Sequence, residues 1–203
     1  MKILSIHVLK KEDEKAVFLY SNFSLGFINF LKRSFAKEPL KFAARTSANK
    51  IKKGDSARIE TPEFEGAIVY INSLENDLCY IIITDSEYPK TAAVKVLTEI
   101  RHQFELIFDI NNLKNIKIDK EHIFPAGQEI IDKYQDPQEA DKLIKLENKL
   151  KEIESMLSKT MNDLLERSEN LDELMSQSED ISNTAFQFYQ NSKKANQKCC
   201  SLY

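Results

Sequence analysis

Over residues 143–195 the chain places a seam residue every three and then every four positions, without a slip: Leu143, Leu146, Leu150, Ile153, Leu157, Thr160, Leu164, Arg167, Leu171, Leu174, Ser178, Ile181, Ala185, Phe188, Ser192 and Ala195. That mean period of 3.5 is the heptad repeat of a left-handed coiled coil. Twelve of these sixteen positions are apolar, against 42% for the whole chain, so the pattern is not a product of composition. Neither Pro nor Gly occurs between residues 138 and 203. The spacing therefore predicts one continuous helix about 80 Å long. The residues between the seam positions are mostly Lys, Glu, Asp, Asn, Ser and Gln. A helix this polar on three sides needs partner helices to bury its stripe.

Four seam positions depart from ordinary core residues: Thr160, Arg167, Ser178 and Ser192. Small side chains there suit a crowded bundle. Arg167 stands at the eighth of the sixteen layers, between Leu164 and Leu171. A charge on a buried seam costs several kcal/mol unless partners satisfy it. Such a residue either snorkels out of a loose dimer or fixes register and partner identity.

The run Cys199-Cys200-Ser201-Leu202-Tyr203 has the frame of a C-a-a-X prenylation box at Cys200, with a second thiol beside it for another lipid. Tyr203 is not a usual last residue of that box, and the pair also reads as two exposed thiols. One lipid chain holds a bilayer marginally and two hold it stably. No apolar run approaches the roughly 20 residues of a membrane span. Lys193, Lys194 and Lys198 cluster near the tail and read either as a contact for anionic lipid or as a solvated helix end.

Residues 1–110 read as one compact α+β domain. Alternation over 2–9 and 16–20 predicts an opening hairpin. A less regular stretch covers 23–35, and Pro39 is placed in the first turn of a helix reaching about Ile51, ended by Gly54. Three strands follow, at 57–59, 66–71 and 78–84. An amphipathic helix spans 91–108 with Ala93, Val94, Leu97, Ile100, Phe104 and Phe108 on one face. Residues 111–141, punctuated by Asn111, Asn112, Pro125, Gly127 and Pro137, read as a linker with short helices. The seam occupies 142–198 and the tail 199–203.

The net charge of −3 is spread over 29 basic and 32 acidic residues, which argues against a nucleic-acid partner. Three cysteines, two of them in the tail, and an opening without a leader point to a reducing cytosol. Cys79 falls in a strand and reads as core. Nothing predicts an enzyme, a metal or a cofactor. The four glycines stand apart at 26, 54, 66 and 127, so no phosphate loop forms, and small GTPases are excluded with it. His7, His102 and His122 lack ligand spacing, and His7 reads as a surface or satisfied histidine. Asp85 and Glu87 read as turn residues.

The run Leu164-Leu165-Glu166-Arg167-Ser168-Glu169-Asn170-Leu171-Asp172-Glu173-Leu174 resembles the centre of the R-SNARE motif, the synaptobrevin-like class. With the Cys-Cys-a-a-X tail, Tyr134-Gln135-Asp136-Pro137-Gln138-Glu139-Ala140-Asp141 and Glu87-Tyr88-Pro89, the chain resembles the prenylated longin-type R-SNAREs. The resemblance implies a longin, profilin-like domain of five antiparallel strands flanked by helices, followed by a long SNARE helix. It implies Arg167 in an ionic layer with three glutamines from partner Q-SNARE helices, prenylation of Cys200 by a prenyltransferase and a second lipid on Cys199. It also implies that Phe42 lies on the longin surface to which the protein's own SNARE segment and lipid fold back. Phe27, Phe30, Phe35 and Leu40 read as ordinary core. The function implied is membrane fusion, with a cytosolic pool exchanging with the cytoplasmic face of Golgi, endoplasmic reticulum-derived, endosomal or vacuolar membranes. A prenylated longin-domain trafficking adaptor and a homo-oligomeric tether are the rival readings.

Overall fold

The computed structural model describes the chain except at residues 1, 14, 29, 65, 137–155, 167 and 200–203. Strands β1 (Ile3–Lys10), β2 (Val17–Phe23), β3 (Ser56–Thr61), β4 (Ala67–Ser73) and β5 (Leu78–Thr84) pair antiparallel, and helix α1 (Phe30–Lys50) connects β2 to β3. Helices α2 (Lys90–Ile107), α3 (Ile110–Leu113) and α4 (Pro125–Tyr134) follow. The sheet order is β2-β1-β5-β4-β3-β6, where β6 (Leu157–Thr160) runs parallel to β3. The sheet is thus six-stranded and mixed rather than five-stranded and antiparallel. The added strand comes from the predicted coiled coil.

Both faces of the sheet are covered, so each strand splits its apolar residues with period two. Leu9, Phe18, Ile59, Val69, Ile71, Cys79, Ile81 and Ile83 belong to one core, under α1. Ile6, Val8, Leu19, Ile68, Tyr70, Tyr80 and Ile82 belong to the other, under α2 and α4. Helix α1 buries Leu40, Ala43, Ala44, Ser47 and Ala48, spaced three and four apart. It starts nine residues before Pro39, which lies inside it rather than in its first turn. Phe35 and Ala36 continue the same buried face upstream, and that packing outweighs the hydrogen bond a proline omits.

Helix α2 begins at Lys90 after Pro89 and matches the predicted span within a residue. Residues 111–136 pack onto the domain. Lys120 N–H donates to Phe18 O at 2.9 Å and His122 N–H to Leu19 O at 2.7 Å, which covers the free edge of β2. Helix α4 reaches β2 so closely that a Cβ at Gly127 would meet the Tyr20 hydroxyl at 2.2 Å. His7 is buried, with Nδ1 3.1 Å from Ser21 Oγ and Nε2 2.9 Å from Ser5 Oγ. Burial, with the charge of Lys41 adding to it, lowers its pKa to about 3 and keeps it neutral.

Candidate functional site

The predicted 80 Å helix is broken in this state. After β6 come α5 (Met161–Leu164), α6 (Leu171–Gln177) and α7 (Asn183–Cys199), with turns described at 165–166, 168–170 and 178–182. These pieces wrap around α1 and the outer edge of the sheet. The breaks fall where the sequence offers helix caps. Thr160 and Asp163 form a capping box for α5. Asn170 Oδ1 accepts from Asp172 N–H at 2.9 Å at the start of α6. Ser182 Oγ accepts from Ala185 N–H at 3.2 Å near the start of α7. Thr160 reads as a small seam residue in a coiled coil; here it stops the chain and restarts it.

The wrapped segment contributes Met161, Leu164, Leu171, Met175, Ile181, Ala185 and Tyr189 to the same core as α1 and the sheet. Burying a Leu-sized side chain stabilises by roughly 1.5–3 kcal/mol, opposed by the ordering of the segment. Phe42 is 3% exposed and belongs to the same core. Its ring meets Phe64 edge-on at 6.1 Å, and Phe64 in turn meets Tyr189 of α7 at 5.9 Å. Phe35 of α1 stacks on Phe188 at 6.4 Å. Phe42 therefore reaches the segment through Phe64.

A charged latch lies beside the apolar contact. Arg45 of α1 donates through Nε to Asp180 Oδ2 at 2.6 Å and through Nη2 to Asp180 Oδ1 at 2.8 Å. It donates to both oxygens of Asp119, at 3.0 and 2.7 Å, and to Ala16 O at 2.5 Å. Its plane lies over Phe18 at 4.4 Å. Burial disfavours the guanidinium charge, but the hydrogen bonds to Asp180 and Asp119 outweigh it and raise the pKa above the usual arginine value. Burial likewise opposes the charge on Asp119, and the bonds from Arg45 and Phe18 N–H outweigh it, so its carboxyl is held low.

Further ties surround the latch. Lys50 donates to both oxygens of Glu169 at 2.6 and 2.7 Å, and that bond holds the Glu169 carboxyl below its ordinary range. Glu38 accepts from the N–H and hydroxyl of Ser182 at 2.7 and 2.8 Å. Between α6 and α7, Tyr189 Oη donates to Asp172 Oδ1 at 3.0 Å and Lys193 Nζ donates to Asp172 Oδ2 at 2.8 Å.

The predicted seam residues are distributed unevenly. Leu164, Leu171, Ile181 and Ala185 are buried, Leu174 is partly buried, and Thr160 and Ser178 are intermediate. Leu157 and Phe188 are 45% and 48% exposed. Leu143, Leu146, Leu150, Ile153, Arg167 and Cys200 lie outside the described residues. Ser192, Ala195 and Cys199 fall on α7, with side chains outside the description. Sequence reasoning missed the latch, the caps and the apolar trio Met161, Met175 and Tyr189. The Thr160-x-x-Asp163 spacing was the available signal for the caps. Arg45 shared a helix face with Ala44 and Ala48, a placement that demands a partner without naming it.

Among the described residues, no helix is long and apolar enough to cross a membrane, and no cluster of His, Cys, Asp and Glu could hold a metal ion. Residues 28–121 match the longin family model, a regulated-SNARE-like domain, and residues 142–202 match the synaptobrevin model. The chain is 31% identical over 204 residues to the VAMP-like protein YKT61 of Arabidopsis thaliana, covering all of both chains. It is 30% identical over 203 residues to the synaptobrevin homolog YKT6 of Eremothecium gossypii and 29% identical over 203 residues to that of Saccharomyces cerevisiae, again over the full length of each. A longin domain with a heptad segment docked on it is the architecture, and the chain belongs to the longin-type R-SNAREs of the synaptobrevin family. Its place is therefore in vesicle trafficking.

Proposed function

We propose that this R-SNARE drives membrane fusion without enzymatic chemistry, by zippering its seam with three Q-SNARE helices into a parallel four-helix bundle. In that bundle Arg167 meets the glutamines of the central layer, and sixteen layers supply the driving force. The observation that carries the proposal is competition for the same side chains. Leu164, Leu171, Ile181 and Ala185 belong to the seam and are buried against the longin domain here. A segment docked in this way cannot present them to partner helices, so the folded-back state is autoinhibited.

Cys200 carries the isoprenoid and Cys199 a second lipid, which together anchor the segment on the cytoplasmic face of trafficking membranes. With one sheltered lipid the protein stays in the cytosol; with two it remains on the membrane. Docking is intramolecular and competes at an effective concentration on the order of mM. Mixing the full chain with three Q-SNARE helices tests the reading: a stable 1:1:1:1 helical complex is expected. A trafficking adaptor or homo-oligomeric tether would form none. Arg167→Leu is expected to assemble but to accept mismatched partners and registers, scored by competition among Q-SNARE sets. Cys200→Ser is expected to carry no isoprenoid by intact mass; a lipid still present would move the anchor elsewhere.

A further inference from the structure

The heptad has two seam columns. One holds Leu157, Leu164, Leu171, Ser178, Ala185 and Ser192, and the other holds Thr160, Arg167, Leu174, Ile181, Phe188 and Ala195. A bundle buries both. The folded-back segment buries Leu164, Leu171 and Ala185 of the first column and, in the second, buries Ile181 but at Thr160, Leu174 and Phe188 turns instead to the next residue in sequence. Met161 is 0% exposed beside an intermediate Thr160, Met175 is 0% exposed beside a partly buried Leu174, and Tyr189 is 6% exposed beside a 48% exposed Phe188. Within α6 the buried pair is Leu171 and Met175, and within α7 it is Ala185 and Tyr189, each four apart.

The third column is written for the broken segment. It is apolar at 161, 175 and 189, fourteen residues apart, and each of these lies in one of α5, α6 and α7. Between them it holds Ser168 and Ser182, both exposed and both in the turns. At Glu147, Glu154 and Asn196 the same column is polar. A continuous helix has no use for an apolar residue at every second heptad of one flank. A chain that reverses twice has such a use.

We infer that the longin domain recognises a face of the SNARE segment turned by about 50° from the bundle seam, and that Met161, Met175 and Tyr189 form a closed-state stripe distinct from the fusion interface. The half of this statement that concerns the bundle rests on the four-helix reading above. The stripe lets the closed state be strengthened or weakened without rewriting the layers that meet Q-SNARE helices. Tyr189 is its anchor, held by Phe64 on one side and bonded to Asp172 on the other.

The experiment uses the full chain with Met175→Ser and Tyr189→Ser combined, beside Leu174→Ser. Limited proteolysis of the free protein reports docking, and the melting temperature of the purified four-helix complex reports the bundle. For the stripe variant, cleavage after residue 156 is expected to accelerate more than about tenfold, with the complex melting within about 3 °C of wild type. Leu174→Ser is expected to lower the complex's melting temperature more than the stripe variant does, and to accelerate cleavage less. The inference is overturned if the stripe variant keeps wild-type protection, or if it lowers the melting temperature as much as Leu174→Ser. Should the wild type form no complex with Q-SNARE helices, the bundle reading fails instead, and unchanged protection alone would then overturn the stripe.

Discussion

Every N–H of the Arg45 guanidinium is engaged by a protein oxygen, and the Asp180 oxygens are the ones that the C-terminal segment brings. The Arg45 and Asp180 side chains are 6% and 8% exposed, so the pair is desolvated, and its value depends on keeping both partners. Asp180→Asn removes the charge and keeps the shape. Bonds to a charged group contribute roughly 1.5–3 kcal/mol, so the variant is expected to shift the balance toward the undocked segment by about that much. Hydrogen exchange of residues 171–199 measures it. His7 offers a second test, inside the sheet. Its folded pKa of about 3 lies below the unfolded 6.5, so the stability tied to the neutral ring is present above pH 6.5. It is lost as pH falls toward 3, at up to about 1.4 kcal/mol per pH unit. His7→Asn is expected to flatten that slope in denaturant melts run between pH 6.5 and 4.

At the level of elements, the same residues carry two patterns. Residues 157–199 satisfy the helix period and also carry the caps that, among the described residues, cut it into one strand and three helices. β6 pairs with β3 from Leu157 opposite Ala57 to Thr160 opposite Glu60, and so covers the edge of β3. Undocking leaves that edge unpaired, a cost that favours the folded-back state. Asn170→Ala removes the cap of α6. A lost N-cap costs roughly 0.5–2 kcal/mol, and Ala is the better helix former. This variant is expected to form helix more readily and to assemble faster with Q-SNARE helices, read by the rate of gain in circular dichroism. An unchanged or slower rate would show that the cap does not hold the segment folded back.

For the whole molecule, the proposed function makes one apolar column the object of two competing partners. The longin core takes up Leu164, Leu171 and Ala185 when the segment docks, and the proposed bundle takes them when it zippers. Charge contributes to the docked side as well. The Glu169 carboxyl is held low chiefly by its bond from Lys50, and the Glu179 carboxyl by its bond from Lys15. Their contribution is present above the ordinary carboxylate range and is lost as pH falls through the lowered values. Acidification below about pH 4 is therefore expected to weaken docking, and raised salt to weaken the exposed Lys15–Glu179 pair first. Small-angle scattering at pH 7 and pH 3.5 checks the change in dimensions, with wild type and Lys50→Gln compared.

The order of strands and helices in the N-terminal domain was legible in the sequence because alternation and helical spacing are local. Period two marks the strands and period 3.6 marks α2, whatever they pack against. The start of α1 was not legible, because Pro39 is a local stop that only the sheet beneath Phe35 and Ala36 overrules. The heptad spacing, Arg167 within it and the thiol pair are features of the sequence itself and were legible as patterns. Whether residues 157–199 form one rod or four pieces was not, since heptad and caps coexist in the same stretch. Tertiary contact decided it: the apolar surface of α1 and the open edge of β3 lie within reach of the segment, and burying Met161, Met175 and Tyr189 there favours the broken form.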